Sequence, residues 1–150
     1  MIMDVREAAR RWMDAWRQGW PAKDVERIVT RHAEHADHWA SMFHRCRGRA
    51  GLRAYVLECF AEETRPAEVW FGAPHLDGDL ATVEYWAITY PYDQPLTTSG
   101  CTLLRFDAAG LVTESRDYSH TREGRTPPPS TLFPAPRAHA SQTLESSRSH

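Results

Sequence analysis

Apolar residues recur every three or four positions from residue 4 to residue 18. Val5, Ala8, Ala9, Trp12, Met13 and Trp16 fall on one side, and Arg6, Glu7, Arg10 and Arg17 on the other. That is the spacing of an amphipathic helix. Asp4 is placed to cap it, with Glu7 three residues on as in a capping box. Gly19 and Pro21 predict its end. Val25, Ile28 and Val29 predict a second helix within residues 22–33, and "DHWASMF" (37–43) a short strand. A third helix is predicted from about Ala50 to Glu63, with Leu52, Tyr55, Val56, Cys59 and Phe60 inward and Gly48 and Gly51 at its approach. Beyond it the spacing changes to alternation. Residues 67–76, 80–90, 97–106 and 111–119 read as strands, rich in β-branched and aromatic side chains. Turn chemistry separates them: Asp77-Gly78, then "YDQP" (92–95), then "DAAG" (107–110) with Gly110 in the left-handed position. Helices first and an antiparallel meander after predict an α+β domain, with the helices packed on one face of one sheet.

One residue interrupts the alternation. Glu84 sits in the centre of "DLATVEYWAITY", on the same side as Trp86 and Ile88. The turns give a register that assigns it neighbours. If Asp107 pairs with Leu111, Leu103 lies opposite Ser115 and Cys101 opposite Asp117. If Asp93-Gln94 is a two-residue turn, Trp86 lies opposite Cys101 and Glu84 opposite Leu103. Cross-strand partners point the same way. One face is therefore expected to carry Glu84, Trp86, Ile88, Cys101, Leu103, Arg105, Ser115 and Asp117. The other carries Val83, Tyr85, Ala87, Thr102, Leu104, Phe106, Val112, Glu114 and Arg116. Two carboxylates among tryptophan, cysteine and leucine are the mixture of a pocket wall. Strand spacing puts Glu84 and Asp117 roughly 10–12 Å apart at Cβ, enough to flank a small substrate. A single bulge would turn a whole strand over. The bland alternative is a wet sheet face on which Glu84 pairs with Arg105.

Composition narrows the classes. At 150 residues, 41% hydrophobic and 25% charged, the chain has the size and balance of one globular domain. A net charge of −2 with interspersed arginines offers no footprint for nucleic acid. No apolar run has the length of a membrane span. The three cysteines lack framework spacing, and the charged start is unlike a signal peptide, so a reduced, cytoplasmic setting is expected. From Thr121 to His150 the chain is rich in Pro, Ser, Thr and Arg. It reads as a largely disordered tail after a domain spanning residues 1–120.

The six tryptophans are many for this length and suit both cores and apolar pockets. Trp12 and Trp16, at helical spacing, are first of all core residues, and also candidates for a pocket floor. Parity along residues 38–43 turns inward either His38, Ala40 and Met42, or Trp39, Ser41 and Phe43. His32, His35, His38 and His44 crowd one region, but no cysteine or carboxylate completes a ligand set, so no metal is expected. Cys101 has no histidine to activate it and reads as a small buried hydrophobe.

The order of elements, with "GRAGLRAYV" (48–56), "VWFGAPHLDGDLATVEYWA" (69–87) and "LLRFDAAGLVTESRDY" (103–118), resembles the SnoaL-like branch of the nuclear transport factor two-like superfamily over about residues 5–120. The resemblance implies a cone-shaped, cystatin-like α+β barrel: a bent antiparallel sheet wrapped around the N-terminal helices, with a deep apolar pocket, usually in a homodimer. It places His38 or His44 at the pocket mouth. It also places Asp117, in "RDY", where SnoaL-like cyclases and related epoxide hydrolases carry a pocket aspartate. The Arg-x-Asp of those hydrolases is missing at "VEYWA", which offers Glu84 and Trp86 instead.

Three functions remain. The first is a cofactor-free enzyme of cyclase or isomerase type, with epoxide hydrolysis as a variant. It acts by acid–base chemistry on a hydrophobic carbonyl-bearing substrate. Asp117 and Glu84 are its catalytic pair, and Trp12, Trp16, His38, Trp39, Phe43, Trp86, Cys101 and Leu103 its contacts. The second is a non-catalytic module for an apolar ligand, with both carboxylates neutralised by arginine. The third is a dimerisation domain with a filled core.

Overall fold

The computed structural model describes residues 3–133. Helix α1 (Val5–Ala22) starts as its sequence predicts, with the Asp4 carboxylate accepting from the Glu7 N–H at 3.2 Å. It does not stop at Gly19. A Cβ there would meet Ile28 Cγ1 at 2.9 Å, so the glycine lets the next helix close in. Pro21 lies in the last turn, where its ring removes one N–H bond to the preceding turn and the helix ends one residue later. Lys23, left-handed at φ 54°, ends α1. Helix α2 is only Val25–Val29. The residues expected to prolong it enter the sheet instead, because Arg31 O accepts from the Val112 N–H at 2.9 Å and strand β1 (His32–Ser41) begins at once. Tertiary pairing has overridden local helical preference.

A tight hairpin joins β1 to β2 (His44–Arg47), and α3 spans Gly48–Glu62. The strand expected over 67–76 is two, β3 (Glu68–Phe71) and β4 (His75–Asp77), both pairing with β5 (Leu80–Thr89). Strands β6 (Leu96–Phe106) and β7 (Val112–Glu123) complete a seven-stranded sheet of order β2-β1-β7-β6-β5-β3, with β4 on β5 beside this path. All pairs are antiparallel except β1 with β7. The expected α+β class with helices on one sheet face is what forms. The boundary expected at residue 120 falls inside β7, which pairs with β6 as far as Leu96–Glu123. The chain then runs back over the sheet to Phe133. Residues 134–150 of the predicted tail lie outside the described residues.

The helices and one sheet face enclose two adjoining apolar clusters. Ala9, Trp12, Val83, Leu104 and Val112 form one, and Ile28, Val29, Leu52, Val56 and Phe60 the other.

Two register details decide what faces inward. At the β5–β6 turn the central residues are Tyr92 and Asp93, both at positive φ, so Thr89 pairs with Leu96. This differs from the expected register by two residues, and the faces of β5 and β6 stay as predicted. At β6–β7 the expected turn forms, with the Asp107 N–H bound to Leu111 O at 2.8 Å. A bulge follows. Phe106 pairs with Val112 but Arg105 with Glu114, leaving Thr113 over. From there on β7 is turned over, so that Asp117 pairs with Thr102 and Ser115 with Leu104.

Candidate functional site

The bulge separates the expected carboxylate pair. Asp117 and Ser115 join Val83, Tyr85, Thr102 and Leu104 on the inner face, under the helices. Glu84 stays on the outer face and is exposed. Trp86, Cys101 and Leu103 share that outer face, each half-buried. Trp39 pairs with Arg45 and Arg116, also on the outer side, and its ring is covered by the Arg45 guanidinium at 5.3 Å. Phe43, at the β1–β2 turn, is fully exposed. Of the residues expected to contact substrate, Trp12, Trp16 and His38 face the interior cavity. Trp39, Phe43, Trp86, Cys101 and Leu103 do not, and Glu84 does not accompany Asp117.

The cavity has a volume of about 110 Å³. Its wall is a closed circuit of aromatic rings. Trp12 meets Trp16 at 6.3 Å between centroids, Trp16 meets Trp20 at 5.5 Å, and Trp20 meets Tyr85 at 6.4 Å. Tyr85 meets Phe71 at 6.1 Å, and Phe71 returns to Trp12 at 6.1 Å. Helix α1 supplies three of these rings at successive four-residue steps, which stack along one face. Trp20 belongs to that stripe only because the helix continues past Gly19.

Asp117 projects into this apolar space from β7. The Tyr85 hydroxyl donates to its carboxylate, 2.8 and 2.9 Å from the two oxygens. Gly100 makes the contact possible. Tyr85 lies on β5 and Asp117 two strands away, and the ring must cross β6. A Cβ at Gly100 would lie 2.5 Å from Tyr85 Cζ, so the ring rests directly on the glycine. Burial pushes the Asp117 pKa up to about 6, against hydrogen bonds from Tyr85 and Ser119 that favour the anion. Burial, then the neighbouring Asp117 charge, raises the Tyr85 phenol, so it remains a donor.

His38, also on the wall, has Nδ1 at 2.6 Å from Ser115 Oγ. Burial first, and His44 second, pull its pKa down to about 4, so the ring is neutral at physiological pH. Tyr55 lies at 6.0 Å from the His38 ring and 5.2 Å from that of His44. His32 and His38 are buried with their ring centroids 6.4 Å apart, whereas His35 is exposed. Burial pushes the Cys101 thiol up, so it is no activated nucleophile.

A second carboxyl does reach the cavity, and it is one that periodicity gave no reason to select. Glu63 follows α3 and is held by a bridge to Pro91. It is 7% exposed. Trp20 Nε1 donates to its Oε1 at 2.9 Å, while Oε2 has no partner among the described residues. Lys23 donates to the Glu63 backbone carbonyl rather than to its carboxylate. Burial raises the Glu63 pKa, opposed by the Trp20 bond and by Lys23. Tyr85, Trp20 and Glu63 were therefore missed by sequence reasoning. A signal existed for Trp20, the next four-residue step after Trp12 and Trp16, and for Gly100, a glycine inside a strand. Glu63 had none.

This arrangement places a raised-pKa carboxylate, oriented by a phenol, on the wall of an aromatic-lined cavity. That is the chemistry of a general base. No helix among the described residues is long and apolar enough to cross a membrane.

Solved structures share the architecture. The epoxide hydrolase/cyclase-like enzyme SalBIII, of pyran ring formation in the polyether salinomycin, is 18% identical; the match covers 78% of this chain and 93% of that one at a TM-score of 0.67. An M. tuberculosis LEH-like epoxide hydrolase is 17% identical, covering 78% and 86%, at a TM-score of 0.65. A Catenulispora acidiphila protein of ketosteroid isomerase-like fold, in complex with trimethylamine, is 19% identical, covering 71% and 83%, at a TM-score of 0.63. No curated protein matches the chain. The sequence itself matches the SnoaL-like domain over residues 9–115, and with the sheet, the helices and the enclosed cavity in place, the chain belongs to the SnoaL-like family.

Proposed function

We propose that this protein is a cofactor-independent acid–base enzyme of cyclase or isomerase type. Its substrate is a compact apolar molecule bearing a carbonyl. The observation that carries this reading is Asp117: a half-buried carboxylate, bonded to Tyr85, with no arginine beside it on the cavity wall among the described residues. Asp117 takes a proton from carbon alpha to the carbonyl, or from a bound water. The Tyr85 hydroxyl holds its orientation, and the aromatic wall excludes competing solvent. Two of the fold relatives are enzymes of cyclase or epoxide hydrolase type, which supports the reaction class and leaves the substrate to be found. A homodimer in the cytoplasm belongs to the same reading.

The rival readings have less support. A passive binding module predicts Arg-neutralised carboxylates, and Asp117 is bonded by hydroxyls instead. A filled dimerisation core predicts no cavity.

The test is Asp117→Asn across a panel of carbonyl and epoxide substrates. Asparagine keeps an acceptor for Tyr85 and loses the base, so kcat/KM is expected to fall by on the order of 10²-fold or more. The wild-type kcat/KM should rise with pH through an apparent pKa near 6, the value for Asp117 in the ligand-free site. Full turnover by the variant sinks the proposal.

A further inference from the structure

The aromatic circuit has a property that an apolar pocket for a neutral substrate does not require: it is closed, and two acids line it with no charged base among the described residues. Five ring faces and edges surround the space, three of them indoles, the rings with the strongest attraction for cations. Asp117 and Glu63 both line it. No lysine or arginine is on its wall among the described residues. His38, the remaining ionisable base there, is held neutral by burial. One oxygen of Glu63, a residue more than nine-tenths buried, is without any hydrogen-bond partner among the described residues. Lys23 is the charged neighbour of Glu63, but it donates to the backbone carbonyl, so the free carboxylate oxygen is left for a positive group from a ligand.

We infer that the cavity is a receptor for a compact lipophilic organic cation, an alkylammonium head group held inside the Trp12–Trp16–Trp20–Tyr85–Phe71 circuit and facing Asp117 and Glu63. The inference rests on the cavity being the functional site proposed above and adds to that reading an alkylammonium group carried by the same carbonyl-bearing substrate. Alkylammonium groups match the chemistry better than metal ions. Their charge is spread over methyl and methylene surface, so they shed water readily and fill the aromatic wall. The two carboxylates supply the counter-charge without needing direct coordination. The cavity volume of about 110 Å³ suits a head group of a few carbons around one nitrogen.

The experiment compares two probes of the same shape. Choline carries a quaternary nitrogen where 3,3-dimethylbutan-1-ol carries a carbon. Binding of each to the full chain is measured by titration calorimetry and by the fluorescence of the cavity tryptophans. Choline is expected to bind at least tenfold more tightly than the neutral isostere. Glu63→Gln, close in size, is expected to cut choline affinity tenfold and leave the isostere unchanged. Trp20→Phe, which keeps a ring of lower cation affinity, is expected to weaken choline alone. Equal affinity for the two probes, or no binding of choline, overturns the inference, and so does a Glu63→Gln variant that folds and binds choline normally. The catalytic reading fails separately. Choline binding in a protein whose turnover ignores Asp117→Asn leaves the cation site standing and removes the base.

Discussion

The two faces of the central sheet carry similar residues and treat them in opposite ways. On the outer side, Glu68 and Asp79 are matched with arginines, and Glu84 is exposed to solvent. Glu68 is bonded to Arg125 at 2.7 Å, and that bond, aided by Tyr90, holds its pKa below the ordinary value. Asp79 takes Arg105 at 3.2 Å, the arginine that the alternative reading of the sequence gave to Glu84. Trp86 spends its indole N–H on Thr126 O at 2.9 Å and packs against Phe133 at 6.5 Å, so the returning chain closes over it. Among the described residues, Asp117 on the inner face has hydroxyls for partners and no arginine, Glu63 has one oxygen without a partner, and two of the indoles lack acceptors. The outer face is satisfied, while the inner one keeps polar groups at a cost to stability. Natural proteins tolerate such cost where groups have work to do.

The largest effect that separates the faces is packing. Leu104 is fully buried on the inner face and its neighbour Leu103 half-buried on the outer. Leu104→Ala is expected to cost about 2–5 kcal/mol in urea unfolding, and Leu103→Ala clearly less. Equal losses would mean that the outer face is covered far better than the described residues show.

The next is electrostatic, and its sign is specific. The native state holds the Asp117 proton to about pH 6, well above its ordinary 3.8. The folded form therefore binds that proton more tightly than the unfolded form. Stability from this group falls as pH rises from about 4 to about 6 and stays lowered above. The full cost is about 3 kcal/mol for two pKa units. Asp117→Asn should melt at or above wild type at pH 7.5, with the difference vanishing near pH 4. The difference between the two proteins isolates Asp117 from His32 and His38. Burial first, then neighbouring charges, pull those histidines down to about 3 and about 4, so they act in the opposite direction. A variant that melts much lower at pH 7.5 would make Asp117 a structural tie.

Gly100→Ala tests how the inner face is assembled. Its methyl group would collide with the Tyr85 ring, so about 1–3 kcal/mol of overpacking is expected. Tyr85 should leave Asp117 at the same time, moving the pH-rate midpoint upward as the anion loses a donor. An unmoved midpoint would show that Tyr85 does not tune the base.

The smallest effects belong to the outer charges. Arg125→Ala should cost no more than about 1 kcal/mol, and less at high salt, as for exposed pairs. Glu84→Gln should leave turnover within about twofold, since an exposed side chain across the sheet reaches nothing in the cavity. A large loss of turnover in Glu84→Gln would restore the pairing of Glu84 with Asp117.

The sequence by itself determined the order of helices and strands, the α+β class and the Asp107–Leu111 turn, and it offered Asp117 as a candidate. Those features are written in short-range patterns: helical and strand periods, capping residues and turn glycines. It could not determine which way Asp117 points. Side chains alternate along a strand, so one extra residue, Thr113, sends Asp117 to the face opposite Glu84. Where that bulge falls depends on the pairing of β7 with both β6 and β1, and no local window contains those contacts. The same holds for α1. Gly19 and Pro21 read locally as a stop, yet packing against Ile28 carries the helix on and adds Trp20 to the cavity. Glu63 becomes a cavity residue only because the end of α3 is fixed against the β5–β6 turn and Trp20 reaches it from 43 residues earlier in the chain. The tertiary structure decided the site because its groups come from separate elements, and only long-range packing sets them around one space.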